Sequence, residues 1–273
     1  MIEILYFSDV LCIWAYVAQI RLEELKLTFN EQISINYHFC SVFGNAREKL
    51  EARWRDRGGL PGYNQHVQEI AAKYTHINVH ADVWKEEAPY SSMSCHLFLR
   101  AIQLLEQKGL VEKAGAGGLF EQAIWSFRRA FFTQLANISE RSVQYVIAAE
   151  LGLPLDAIQA QIDSGEAHAA LSKDFDLSKE YTVTVSPTLI FNEGRQRLNG
   201  NVGYRVIEAN IRELLYHPVS FRVGDRADRI GQRPALLHIF SRARQELKLQ
   251  VGQARYVLRL LQPATVRASG QHA

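Results

Sequence analysis

Cys12 is the residue of this chain best placed to do chemistry. It stands in Cys12-Ile13-Trp14-Ala15, after the apolar stretch Ile2 to Phe7 and at the opening of an amphipathic segment, Ala15 to Leu27. A thiol in the first turn of a helix feels free backbone N–H groups and the positive end of the macrodipole. Both favour the thiolate, which is the reactive form, so the sequence predicts a depressed thiol pKa. A second cysteine three residues on would make a redox dithiol, but that position is Ala15. Cys12 can therefore enter a mixed disulfide and lacks a partner in its own motif to leave it. The other thiols are Cys40 and Cys95. Each fits small core filling, and Cys95 is the better candidate for a remote resolving thiol.

Pro187 is the second marker. It sits inside a β-branched, apolar run, Thr182 to Phe191, which reads as one strand. A proline there cannot donate to the ladder, which argues for an edge, a bulge or a cis bond. With Cys12 at a strand–helix junction and a hairpin and helix downstream, the cis bond is the preferred reading. Trp14 reads as an exposed lip beside the thiol. His38, His66, His76, His80 and His96 show no ligand-like spacing except in Cys95-His96. Adjacent helical residues point about 100° apart, so no metal is expected. Arg53-Trp54-Arg55 and Arg128-Arg129 read as solvated faces able to meet an anionic carboxylate. Neither a Ser-His-Asp arrangement, a phosphate loop nor a dinucleotide fingerprint is present.

These residues must be positioned by an α/β scaffold. Ile2–Phe7, Ala15–Leu27 and Ile33–Phe39 read as a strand–helix–strand unit of the parallel, right-handed kind. Gly44 to Tyr63 reads as a helix followed by a mobile loop at Gly58-Gly59-Leu60-Pro61-Gly62. Four helices follow: Met93–Gln107 capped by Ser91-Ser92, Leu119–Gln134, one opening at N-cap Ser139 and closing at Gly152, and Leu155–Ser164. Asn192 to Arg195 then reads as a hairpin turn pairing Gln196–Leu198 back, before a helix over Tyr204–Leu215. The expected organisation is residues 1–43 and 174–216 as two parts of one α/β domain, with 44–173 as a mainly helical insertion. Residues 217–273 form a basic extension containing a helix over Leu236–Leu261 and a frayed end.

At 273 residues, 47% hydrophobic and 22% charged, the composition is that of an ordinary globular protein. Net charge is only +2, yet the 217–273 segment holds ten Lys/Arg against three Asp/Glu. Without a zinc spacing or recognition helix, that segment is read as a solvated or self-docking extension and no nucleic-acid partner is expected. The sequence shows neither a membrane-length apolar run nor a signal peptide, and three sparse cysteines imply no disulfide framework. A cytoplasmic location follows as the expectation.

Ser8-Asp9-Val10-Leu11-Cys12-Ile13-Trp14-Ala15-Tyr16 resembles the Asp-x-x-Cys-Pro-Trp-Cys-Tyr opening of the DsbA superfamily. It is most similar to the FrnE-like branch, with kappa-class glutathione transferases and 2-hydroxychromene-2-carboxylate isomerases. Ser94-Cys95-His96-Leu97 with Arg100, Phe127 to Phe132 followed by Ile138-Ser139, and Thr184 to Thr188 followed by Asn199-Gly200 fit the same branch, over about residues 1–216. The resemblance implies a thioredoxin-like fold with a helical insertion. In it Val185, Ser186 and Pro187 face the thiol and present backbone to an extended substrate, and Asn201 meets the γ-glutamyl end of glutathione. It implies no tightly bound cofactor, with glutathione as co-substrate, protein thiols or a small electrophile as other partners, and room for a homodimer. Ile13 and Ala15 depart from the pattern. Three readings follow: glutathione-linked exchange by a single cysteine, a kappa-type transferase or isomerase, or a non-catalytic binding module.

Overall fold

The computed structural model describes residues 1–85, 88–111 and 118–216. The C-terminal extension 217–273, with its expected helix and frayed end, lies outside the described residues. Strand β1 (Ile2–Ser8) is the centre of a four-stranded sheet of order β2-β1-β3-β4. It pairs parallel with β2 (Ile33–Phe39), from Ile2 opposite Ile33 to Ser8 opposite Phe39. It pairs antiparallel with β3 (Thr188–Phe191), which pairs antiparallel with β4 (Gln196–Asn199). The alternation of β1 sends Ile4 and Tyr6 into the main core and Phe7 into a smaller cluster with Cys40 and Ile190.

Helix α1 (Ile13–Phe29) connects β1 to β2, with Cys12 as its N-cap, and ends at Asn30 with φ +44°. Helices α2 (Ala46–Trp54) to α8 (Glu166–Glu180) all fall between β2 and β3. Their core is aromatic. Phe43 stacks on Trp84 (5.5 Å), Trp84 meets Phe131 (5.0 Å), and Phe132 stacks on Tyr16 of α1 (5.0 Å). Helix α9 (Tyr204–Tyr216) returns to the sheet through Ile207 and Ile211.

Several sequence expectations change. The Gly58 to Gly62 stretch is no mobile loop but a tight corner into helix α3 (Gly59–Ala71), with φ +88° at Gly58. A Cβ on Gly62 would meet the Arg57 carbonyl at 1.8 Å, so only glycine closes that corner. The strand expected from Thr182 starts at Thr188 instead. Thr182 and Val183 donate their N–H groups back to Lys179 and Ser178, closing α8 rather than extending the sheet. Helix α6 (Arg141–Glu150) is capped by Glu140, because the Ser139 hydroxyl donates to the Ser91 carbonyl at 2.6 Å. Helix α7 (Leu155–Asp163) lies where expected, but α8 was not distinguished in the sequence, and it runs unbroken across the 173–174 boundary.

The insertion is locked to the sheet by a buried ion pair. Asp174 of α8 accepts from Arg100 Nε (2.7 Å) on α4 (Met93–Gln107), from the Phe39 N–H (3.0 Å), and pairs with His38 Nδ1 (2.9 Å). Arg100 also donates to the Tyr37 carbonyl at 2.9 Å. Removing one partner strands the other charge, so Asp174→Ala should lower stability by about 3–5 kcal/mol in urea unfolding. Asp174→Asn, which keeps an acceptor for Phe39, should lose less. Equal stability of Asp174→Ala and wild type would contradict this clamp.

Candidate active site

The site forms where β1 ends, α1 begins and the segment before β3 crosses them. Asp9 closes a turn, its carbonyl accepting from the Cys12 N–H at 3.1 Å. Its backbone N–H donates to Ser186 Oγ at 2.9 Å, which pulls the segment before β3 over the thiol. Cys12 Sγ in turn donates to the Ser186 carbonyl at 3.2 Å, and the Ser186–Pro187 peptide bond is cis. The amides of Trp14 and Ala15 at the start of α1 also face the sulfur. Sequence motifs 174 residues apart thus meet at one atom.

The Asp9 side chain ties this turn to the insertion. It accepts from the Leu11 N–H (3.0 Å), the Phe43 N–H (2.8 Å) and Ser92 Oγ (2.9 Å). That use of Ser92 explains why α4 lacks a side-chain cap from it. Asp9 has no solvent contact, and burial pushes its carboxyl up to about 6, only partly opposed by these donors and Lys49. His96, stacked on Phe39 at 4.5 Å, accepts the Val10 N–H at 3.1 Å through Nε2. Burial and the charges of Arg100 and Arg128 push it down to about 3, so it is neutral at pH 7.

The expected thiolate is overturned. Cys12 is 5% exposed, and burial pushes its thiol up, with the Asp9 carboxylate adding to the rise. The bonds from Ser186, Ala15 and Trp14 act the other way and do not offset burial. The helix N-terminus is present as read, but it acts on a sulfur that has lost its water and has an anion nearby.

Other sequence-read residues sort as follows. Val185 is 40% exposed, and Trp14 is half-buried against Tyr74 (centroids 6.3 Å). Ser186 and Pro187 are buried. The Asn201 amide donates to Tyr74 Oη at 2.6 Å and its carbonyl accepts from Arg21, so both of its polar ends are engaged in holding the rim. Arg128 is not solvated. It is completely buried, donating to Gln19 Oε1 (2.7 Å) and Ser8 Oγ (3.1 Å), while Arg129, Arg53 and Arg55 are exposed. Cys95 is fully buried, with Asp9, Arg128 and Arg141 as its charged surroundings. Cys40, the less favoured thiol, is buried in the smaller cluster with Phe7 and Ile190, and burial pushes its thiol well up. Among the described residues, no group of His, Cys, Asp and Glu could hold a metal ion, and no helix is long and apolar enough to cross a membrane.

Sequence reasoning missed Lys49 and Tyr63, both electrostatically coupled to Cys12 and Asp9. Their signal was only position, on helices flanking the glycine corner.

The DSBA-like thioredoxin domain family matches residues 3–212. The chain belongs to that family. The four-stranded sheet with helices inserted between β2 and β3 is its thioredoxin-like fold. Among curated proteins, the chain is 24% identical over 238 residues to the ClpXP adapter protein SpxH of Halalkalibacterium halodurans, spanning 85% of this chain and 69% of that one. Among solved structures, it is similar to the cytosolic disulfide reductase DsbM from Pseudomonas aeruginosa with GSH. The TM-score is 0.55 and the identity 20%, covering 77% of this chain and 99% of that one. A 2-hydroxychromene-2-carboxylate isomerase matches with TM-score 0.54 and 14% identity, covering 81% and 99%. These two structures share the fold.

Two buried groups give the site a pH signature of opposite signs. His96 titrates near 6.5 unfolded and about 3 folded, so stability is lost as pH falls from about 6.5, by about 5 kcal/mol at most. Asp9 titrates near 3.9 unfolded and about 6 folded, so its protonation returns about 3 kcal/mol as pH falls from about 6 to 4. Relative to wild type, Asp9→Asn should lose stability more steeply on acidification over that window, and His96→Gln less steeply. Parallel stability–pH curves for all three proteins would contradict these assignments.

Proposed function

We propose that this protein is a monothiol oxidoreductase in which Cys12 exchanges with the disulfide of oxidised glutathione. The observation that carries the reading is the contact of Cys12 Sγ with the Ser186 carbonyl, at the mouth of α1 and beside the exposed Val185. A disulfide entering along Val185 displaces that carbonyl from the sulfur, and the thiol proton leaves to water. The Cys12 sulfur then attacks one sulfur of the disulfide. The S–S bond breaks, a Cys12–glutathione disulfide forms, and the departing glutathione thiolate takes up a proton. A second glutathione thiolate attacks the glutathione sulfur of the adduct and restores Cys12. The amides of Trp14 and Ala15 stabilise the sulfur anion in each step. Half-buried Lys49 supplies a cation for a glutathione carboxylate. The solved DsbM holds GSH on the same fold. A thiol with a raised pKa is a stronger nucleophile once ionised but is seldom ionised at neutral pH, so exchange is slow at pH 7 and accelerates with pH. Glutathione as co-substrate fits a cytoplasmic protein.

One observation favours a second reading, a binding module. Cys12 is buried with its thiol pushed up, and the curated relative above is named an adapter. Intact mass spectrometry after incubation with oxidised glutathione separates the two. Exchange gives one glutathione adduct, mapped to Cys12, absent in Cys12→Ser and removed by excess reduced glutathione. A protein that stays unmodified at pH 8.5 overturns exchange and leaves the binding reading.

A further inference from the structure

Strand β2 is the outer strand of the sheet, and its free edge is only partly closed. The Cys40 N–H donates to the Ser8 carbonyl at 3.2 Å, so the even-numbered residues of β2 turn their backbone groups toward β1. Ile33, Ile35, Tyr37 and Phe39 therefore turn theirs outward. At one end Arg100 donates to the Tyr37 carbonyl at 2.9 Å, and Asp174 accepts the Phe39 N–H at 3.0 Å. At the other, the Ile33 N–H donates to the Asn30 carbonyl. Between these ends lie the Ile33 and Ile35 carbonyls and the Ile35 and Tyr37 N–H groups, without a hydrogen-bond partner among the described residues. Acceptor and donor alternate there, as on any strand edge able to take a neighbour. The strand carries no lysine or proline to blunt it.

Two clefts meet at this edge, one on each face of the sheet. Ile33 and Ile35 belong to the main-core face, while His38 stacks on Phe7 (5.0 Å) on the face of the smaller cluster. On the first face, a cleft of about 970 Å³ is walled by Leu27 of α1, Trp125 of α5 (Gly118–Gln134), Ile33, Ile35, Glu23 and Glu31. Leu27 is 68% exposed. On the second face, a cleft of about 420 Å³ is walled by Glu3, Leu5, His38, Tyr181 and again Ile35. Lys26 in the first cleft is paired with Glu121, and Arg100 in the second with Asp174. Among the described residues no salt bridge engages Glu3, Glu23 or Glu31, so both clefts keep uncompensated negative charge.

We propose that the outer edge of β2 is a docking site for an extended, basic segment of a partner protein, which adds a strand to the sheet. Running antiparallel, the partner residue opposite Ile35 exchanges two main-chain hydrogen bonds with it. The residues two before and two after reach the Tyr37 N–H and the Ile33 carbonyl. Partner side chains then alternate between the clefts. Those in step with Ile35 lie on the side of Leu27 and Trp125, and those between lie on the side of Glu3 and Tyr181. Main-chain bonds set the register, and the unpaired carboxylates favour lysine and arginine. A second copy of this chain fits less well, because antiparallel pairing about Ile35 puts two acidic clefts on the same side of the joined sheet. Ile35 pairs with Ile4, four residues before Ser8, so the docking edge lies about 13 Å along the strand from the thiol turn. It is independent of the exchange chemistry at Cys12.

The probe is a short fluorescein-labelled peptide of alternating lysine and valine, added to the full chain. Binding is read by fluorescence anisotropy, and its place by amide hydrogen exchange in NMR spectra. The expected result is saturable, salt-sensitive binding. On saturation the Ile35 and Tyr37 amides should exchange at least about tenfold more slowly than in the free protein. Ile35→Pro deletes an outward donor, and a proline is tolerated on the open side of an edge strand. It should weaken binding at least about tenfold. Glu23→Lys combined with Glu31→Lys should weaken it similarly without touching the ladder. Thermal melting compares both variants with wild type, and the amide protection in wild type stands as a test even where Ile35→Pro does not fold. No binding, binding that leaves the Ile35 and Tyr37 amides unprotected, or equally tight binding of a glutamate–valine peptide overturns the site. Protection of those two amides in the free protein, together with a dimer in sedimentation, assigns the edge to a second copy and also overturns it.

Discussion

The Asp9 carboxylate is the constraint on which the site depends. It is a charge without water, held by the amides of Leu11 and Phe43 and the hydroxyl of Ser92, while its own backbone fixes Cys12 on one side and Ser186 on the other. Those contacts join the β1–α1 turn, the start of the helical insertion and the segment before β3. The thiol, its carbonyl partner and the entrance to the insertion are therefore placed by one residue. Three donors only partly replace the lost hydration, so the carboxyl stays near 6 and is ionised at neutral pH. An anion so close to Cys12 adds to the burial that keeps the sulfur protonated.

The surroundings continue this balance of charge and dehydration. Arg128 lies fully buried beneath the site, bonded to Gln19 and Ser8, and no carboxylate pairs with it among the described residues. Its positive charge helps keep His96 neutral, and neutral His96 is what accepts the Val10 N–H. Farther along the same helix as His96, Arg100 pairs with Asp174 of α8 and fastens the insertion to β2. Helix α4 thus carries both a contact that shapes the thiol turn and the clamp that holds the insertion in place.

Much of the fold was legible because its signals are local. The alternation of Ile33 to Phe39 gives β2 with its ends, and the apolar periodicity of Met93 to Gln107 gives α4 with its ends. Cys12 and Ser186, from motifs far apart in the chain, come together in the structure. What escaped were effects that depend on burial and on side chains from distant segments. A helix N-terminus predicts a stabilised thiolate only while the sulfur keeps water, and no sequence pattern reports that Cys12 is buried in the main core. Likewise Arg128-Arg129 reads as a solvated pair, yet one of the two points inward to satisfy Gln19 and Ser8. The β-branched run from Thr182 looked like strand by composition, but its amides were already committed to the end of α8.

Burial holds the Cys12 thiol above its free value, and the buried, ionised Asp9 raises it further. Carbon NMR titration of protein labelled at cysteine Cβ and aspartate Cγ tests it most directly. The account predicts an Asp9 transition near pH 6, a Cys12 transition above the free-thiol value of about 8.5, and a lower Cys12 midpoint in Asp9→Asn. A Cys12 midpoint below about 8.5, or one that Asp9→Asn leaves in place, would contradict it.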